Sequence, residues 1–335
     1  MNATVVSSCL DNETIPALIA DIIIPRSKPK GDAMASPQAA AIDNLFDSFV
    51  AALTANPQMG IEELRDLLEQ CGDLARDPGG VDYLEADAKG TPCLWAVPAG
   101  CRDDRVLLAL HGGGCVTGSR FSHRKMFAHI AKAVGCRALI VDYGRAPEQQ
   151  HPAQVNECVK VYEWLLGQGI KPAHIATIGD SAGGNLCTTV VLAARDKKLP
   201  LPAAVMPLSP WYDMEATAPS FATNAKVDRL ISREMSLNMS QMFLGAASPK
   251  DPLANPLFAD FKGYPPTYIQ VGGFEAIMDD SVRVAERAKA AGVECKCEVF
   301  PEMQHVFQFM AGRAPEADDA IRKLAAWVKP KLGLA

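Results

Sequence analysis

The stretch Ile175–Ala194, "IATIGDSAGGNLCTTVVLAA", sets the five residues Gly179-Asp180-Ser181-Ala182-Gly183 between an apolar quartet and a long apolar run. A strand that turns at once into a helix brings backbone and flanking side chains close together, so only small residues fit around the corner. The serine at that corner, Ser181, is left in a strained conformation with its oxygen exposed. This is G-x-S-x-G in the strand-to-helix setting that turns a serine into a nucleophile. The plainer alternative is a glycine-rich turn in which Ser181 caps a helix. A dinucleotide-binding loop does not fit, because G-x-G-x-x-G is absent.

The surroundings of that turn repeat its strand-helix logic. From about Asp82, "TPCLWAVP", "RVLLAL", "RALIVDY", "HIATIG", "AAVMPLS", "PPTYIQVGG" and "CKCEVF" read as strands. Between and after them, "HRKMFAHIAKAVG", "AQVNECVKVYEWLLGQG", "NLCTTVVLAARDKK", "SVRVAERAKAAG" and "EADDAIRKLAAWVK" read as helices. Short apolar strands alternating with amphipathic helices predict an α/β fold with a mostly parallel sheet covered on both faces. Two segments break the rhythm. Residues 1–80 hold "SPQAAAIDNLFDSFVAAL" and "IEELRDLLEQCG" with no strand between them, and residues 211–256 hold the methionine-rich "SREMSLNMSQMFLG". Both are expected to form a helical cap over the strand ends, leaving 81–210 and 257–335 as the α/β core. The methionines read first as core, and their adaptable side chains also suit a pocket for varied acyl chains.

Composition narrows the partners. A chain of 335 residues, 48% hydrophobic and 21% charged, fits one large α/β domain with a modest appendage. A net charge of −6 without a lysine or arginine cluster argues against nucleic acid and an anionic membrane surface. The apolar run Ile15–Ile24 is cut by Asp21 and falls short of the ~20 residues that span a bilayer, so no membrane span is expected. The start "MNATVVSSCLDNE" has no positive side chain and soon turns acidic, and "VSSC" lacks the apolar region that precedes a lipoprotein cleavage site. A cytoplasmic location follows as the expectation. The ten cysteines are scattered and read as reduced, packed thiols, with Cys295 and Cys297 on one face of a strand. No metal-ligand spacing is present.

A second glycine cluster carries chemistry. In "LALHGGGCVTGSR" the run His111-Gly112-Gly113-Gly114 directly follows the strand "RVLLAL". Backbone N–H groups of consecutive glycines can approach a ligand oxygen unobstructed, which is what an oxyanion hole requires. Gly113 and Gly114 are the expected donors. Ala182 supplies a third N–H, at the start of a helix whose dipole favours negative charge. Cys115 and Asp180 adjoin these donors and are expected at the substrate, whereas His111 is expected to hold the loop.

With these motifs the chain resembles the hormone-sensitive lipase family of α/β-hydrolase esterases, over about residues 80–335. "VDYGRAPEQQHPA" is similar to the family's D-Y-R-L-A-P-E-x-x-x-P-A loop and "LSPWYDM" to its S-P-W-x-D segment. Gly144 and Arg145 stand where an Arg-Leu pair is usual, and Cys115 stands where a bulkier residue is common, which would alter the pocket wall. The resemblance implies an eight-stranded α/β-hydrolase sheet with a helical cap.

In this fold the triad runs Ser, acid, His along the chain. Of six histidines, His111, His123, His129, His151 and His174 precede Ser181, leaving His305 in "PEMQHVFQF" as the base. The acid belongs just past the strand "PPTYIQVGG". Laid on the family's D-P-L-x-D pattern, Glu275 takes the first, catalytic position and Asp279 the second. Asp279 and Asp280 are alternatively read as caps of the helix "SVRVAERAKAAG". The resemblance implies a serine carboxylesterase acting on short- to medium-chain acyl esters, with no cofactor and no metal. Its expected partner is a small-molecule ester, and a homodimer is compatible with the reading. Lactone or amide hydrolysis on the same triad is the alternative. A receptor built on a dead hydrolase is another, although such receptors have lost the base that His305 supplies.

Overall fold

A computed structural model describes residues 35–335. The run Ile15–Ile24 and Cys9 lie outside the described residues. Two helices open the described chain, α1 (Ala40–Ala55) and α2 (Ile61–Glu69), followed by a short 3₁₀ turn, Gln70–Asp73. Strands β1 (Val81–Ala88), β2 (Thr91–Pro98) and β3 (Arg102–Leu110) precede α3 (Arg120–Val134) and β4 (Cys136–Val141). Next come α4 (Ala153–Gly167), β5 (Ile175–Asp180), α5 (Ala182–Asp196) and β6 (Ala204–Leu208). The insertion after β6 holds α6 (Ser220–Thr223) and α7 (Arg233–Leu244). The chain closes with β7 (Thr267–Gly272), α8 (Met278–Ala290), β8 (Cys295–Phe300) and α9 (Pro315–Val328). Among these described helices none is long and apolar enough to cross a membrane.

The strands form one eight-stranded sheet in the order β1-β2-β4-β3-β5-β6-β7-β8. β1 and β2 are antiparallel to their neighbours and all later pairings are parallel. β1 is the strand that the apolar runs do not announce. As a sheet edge it exposes much of its length, and its residues "VDYLEADA" carry three acids rather than a buried run. Central β5 is buried throughout, as a parallel strand between two helical layers must be. Helix α5 behind it is buried at every residue from Ala182 to Ala194, which matches its lack of a polar face.

The register sets the ends of the strands side by side. Leu110 of β3 pairs with Gly179 of β5, Asp180 of β5 with Leu208 of β6, and Gly272 of β7 with Phe300 of β8. The loops that leave β3, β5, β6, β7 and β8 therefore emerge along one edge, where open parallel sheets bind ligands.

Helix α8 starts one turn earlier than its apolar periodicity suggests, and this corrects the capping roles of two acids. Ile277 is its N-cap residue and makes no side-chain cap bond. Asp279 and Asp280 lie inside the first turn, and their side chains reach across to the insertion instead. Asp279 Oδ2 accepts from the Ser220 N–H at 2.8 Å. Asp280 Oδ2 accepts from the Tyr212 and Asp213 N–H groups, each at 2.9 Å. Burial pushes the Asp280 carboxyl up to about 7, only partly offset by those two donors. Asp280 therefore fastens the start of the insertion to the core. Replacing it with alanine strands two buried N–H groups and should cost about 2–4 kcal/mol in urea unfolding. Asp280→Asn, which keeps an acceptor oxygen, should recover most of that loss.

Candidate active site

Ser181 sits on the corner between β5 and α5 with φ 53° and ψ −120°. A non-glycine residue is strained in that backbone and stays there only if its surroundings over-determine it, as they do here. Its N–H donates to Leu208 O at 2.9 Å, and its carbonyl accepts from Asn185 N and Trp211 N, both at 3.1 Å. A side chain at Gly179 would meet Gly183 O at 2.1 Å, and one at Gly183 would meet Leu110 O at 2.0 Å. The flanking glycines are thus a steric requirement of the corner. The Ser181 hydroxyl makes no helix-capping bond and the residue lines a pocket.

The loop after β3 turns over left-handed at three successive residues, with φ of 106° at Gly113, 63° at Gly114 and 60° at Cys115. Gly113 O closes the turn by accepting from Val116 N at 3.0 Å and Thr117 N at 2.8 Å. No protein acceptor among the described residues takes the N–H groups of Gly113, Gly114 or Ala182. Gly113 and Gly114 line the same pocket as Ser181. Cys115 does not: its thiol is buried beside the Tyr143 side chain, under the turn rather than at the pocket wall. Asp180 does line the pocket, but its carboxylate is engaged by the Gly112 N–H and by His123 Nε2, both at 3.2 Å.

His305 and Glu275 meet at the ends of β8 and β7. His305 Nδ1 lies 2.8 Å from Glu275 Oε2, leaving Nε2 for the pocket that His305 shares with Ser181. The other Glu275 oxygen accepts from Ser209 Oγ at 2.6 Å and from the Gly272 N–H. Ser209 Oγ also accepts from Val306 N at 3.1 Å, so one hydroxyl ties the loops of acid and imidazole together. Burial raises the Glu275 carboxyl above its ordinary value, partly offset by His305, Ser209 and Gly272. Burial alone would lower His305, but the bond and charge of Glu275, with the charges of Asp228 and Asp180, raise it above the ordinary imidazole value. His111 has the opposite fate. Fully buried, beside His123 and stacked 4.2 Å from the Tyr143 ring, it is held down to about 3, and its Nδ1 faces Gly112 O.

Three participants have roles that the sequence does not assign, because each acts on a residue far along the chain. Ser209 stands in the "LSPW" segment, where nothing local marks its partner 66 residues on. Asp228 accepts from Ala276 N at 2.6 Å and from Leu230 N and Ile231 N, tying the insertion to the loop after Glu275. His123 sets Nε2 against Gly112 N at 3.1 Å and its ring edge-on to Phe309.

The pocket offers about 100 Å³ to the centre of a water-sized molecule and opens to solvent at its mouth. Phe46, Phe49 and Leu53 of α1 and Leu64 and Leu68 of α2 form one wall. Leu230, Ile231, Met235 and Met239 of the insertion form another. The methionines divide between two duties: Met235 and Met239 face the pocket, while Met242 is fully buried in the core. The departure at Gly144 is accommodated locally. A side chain there would strike the Gln149 amide at 2.3 Å, and Arg145 donates to Gly118 O at 3.1 Å.

Fold and sheet order define an α/β hydrolase, and a family model of the α/β-hydrolase fold matches residues 107–309. An acetyl-hydrolase of Streptomyces hygroscopicus is 35% identical over 79% of this chain and 87% of its own. An esterase of Acinetobacter venetianus is 34% identical over 66% of this chain and 73% of its own. The crystal structure of an esterase from the bacterial hormone-sensitive lipase family superposes with a TM-score of 0.86 at 40% identity, covering 90% of this chain and all of that one. This chain belongs to the hormone-sensitive lipase family of α/β-hydrolase esterases, and it is a serine carboxylesterase.

The geometry of the acid-imidazole pair has a direct readout. In imidazole NMR, His305 should titrate above 6.5, and Glu275→Gln should lower it, since burial is then opposed only by the more distant charges of Asp228 and Asp180. An unshifted His305 in the variant would separate the two residues.

Proposed function

We propose that Ser181, His305 and Glu275 form the catalytic triad and that Gly113, Gly114 and Ala182 form the oxyanion hole. The observation that carries this reading is the 2.8 Å contact of His305 Nδ1 with Glu275, beside the strained Ser181 corner in one pocket. His305 Nε2 takes the Ser181 proton as Oγ attacks the ester carbonyl, and the three N–H groups hold the tetrahedral oxyanion. His305 then protonates the leaving alcohol, and water repeats the sequence on the acyl-enzyme. Glu275 orients the imidazole and stabilises its positive charge, a task for which a glutamate carboxylate is chemically suited, as an aspartate is. Asp279 is committed to the Ser220 N–H, which supports Glu275 as the acid.

The helices within residues 1–80 and 211–256 act as the cap that shapes the acyl site. Its wall of phenylalanine, leucine and methionine suits a short- to medium-chain acyl group. Among the described residues, the one carboxylate outside the triad that lines the pocket, Asp180, is already engaged, which favours a neutral ester.

Ser181→Ala should fold normally and lose at least about 10³-fold in kcat, and a serine-directed organophosphate should label Ser181 alone. Glu275→Ala should lose about 10³–10⁴-fold in kcat and, by stranding the buried Gly272 N–H and Ser209 hydroxyl, should also cost about 1–3 kcal/mol of stability. Asp279→Ala should cost about 1 kcal/mol of stability and keep most of the activity. Activity lost in Asp279→Ala and kept in Glu275→Ala would exchange the acid. Because His305 must be neutral to accept the proton, kcat/KM should fall as pH drops through its raised pKa, above pH 6.5.

A p-nitrophenyl ester series from acetate to palmitate should peak at about four to eight acyl carbons. A peak at palmitate would overturn the cap assignment.

A further inference from the structure

Helix α2 contributes more to the site than a pocket wall. Arg65 is almost entirely buried, and each of its five N–H donors is used. Nε donates to Val116 O at 3.1 Å and Nη2 to Ala146 O at 3.1 Å. The guanidinium also grips Glu148 with both forks, at 2.9 and 2.6 Å, and Nη1 reaches Glu62 on its own helix at 2.7 Å. Val116 is the residue whose N–H closes the turn onto Gly113 O, and Cys115 O accepts from Ala146 N at 2.8 Å. The guanidinium therefore bridges the two carbonyls on either side of the Cys115–Ala146 bond, directly behind the left-handed run at 113–115.

That placement answers a physical need. Three consecutive left-handed residues do not hold their shape unaided, least of all with a non-glycine at Cys115. Donors of an oxyanion hole act only if they are aimed before the charge appears. We propose that Arg65 is a positioning residue for the oxyanion hole: by fixing the Val116 and Ala146 carbonyls it sets the direction of the Gly113 and Gly114 N–H groups. This rests on the catalytic reading above. It also makes the seating of α2 a condition of catalysis, because the side chain that docks the helix is the one that holds the turn. A lysine cannot serve, having three donors and no planar fork to span two carbonyls and a carboxylate.

The test measures kcat per active site, counted by burst titration with diethyl p-nitrophenyl phosphate. Failure of the wild-type enzyme to titrate at Ser181 would refute the catalytic reading itself, a result distinct from any failure of the Arg65 variants. With p-nitrophenyl butyrate, Arg65→Ala should lose about 10- to 100-fold in kcat while KM stays within about threefold. Affinity for an alkyl trifluoromethyl ketone, which binds as a tetrahedral oxyanion, should fall by the same factor as kcat/KM. Arg65→Lys should stay low, and methylguanidinium should restore part of the Arg65→Ala rate. An anchor that only docks the helix would change KM or melting temperature and leave kcat per titrated site and ketone affinity at wild-type values; that result overturns the proposal. Should Arg65→Ala fail to fold, Glu148→Gln carries the test, since it loosens the fork and leaves the arginine in place. A kcat loss at constant KM in that variant supports the proposal, and wild-type kcat overturns it.

Discussion

The closeness of helix α5 to the end of β3 is the constraint from which the site follows. Gly183 lies so near the Leu110 carbonyl that no side chain could stand between them, and Gly179 is pressed equally hard by Gly183. The corner can close only by putting Ser181 into a backbone well that costs on the order of 1–3 kcal/mol. Its N–H and carbonyl are then satisfied by β6 and the segment beyond it. The same contact brings the start of α5 against the loop after β3, so one Ala182 N–H and two glycine N–H groups come together from separate elements.

Around that corner, buried charge is handled by pairing. Glu275 is wholly buried, an unfavourable place for a carboxylate without partners. It has three, and one of them is His305, whose affinity for a proton rises in consequence. Ser209 matters here because a single hydroxyl donates to the acid and accepts from Val306 N, fixing the distance between two loops that start on different strands. Asp180 and Asp228 follow the same pattern: the first is held by the Gly112 N–H and the His123 ring, the second by three backbone N–H groups that shape the loops around the pocket.

Much of this architecture is legible in the sequence because its signals are local. Apolar runs and amphipathic periods mark the inner strands and the helices, and the G-x-S-x-G corner can be read from residue size alone. The edge strand β1 is not legible, since a half-exposed strand has no apolar run to betray it. Asp279 and Asp280 mislead for a related reason. Their position suits a local cap, and only the folded insertion offers them the backbone donors they bind. Cys115 stands next to the glycines in sequence, but three left-handed residues in a row turn it under the loop instead of toward the pocket. Ser209, Asp228, His123 and Arg65 are invisible because their partners are distant in the chain, and spacing says nothing about such pairs.

The walls of the pocket and its floor differ in how firmly they are held. The serine rides at the head of a helix buried along its length against the centre of the sheet, so its position can shift only if the core of the molecule opens. One wall of the pocket is built from α1 and α2, which are solvent-facing along one side and belong to the first part of the described chain. Mild heat or denaturant will therefore loosen the wall before it reaches the Ser181 corner. In hydrogen exchange, amides of α1 and α2 will open at free energies well below those of β5 and α5. A pocket built this way loses its shape earlier than the sheet beneath it loses its fold.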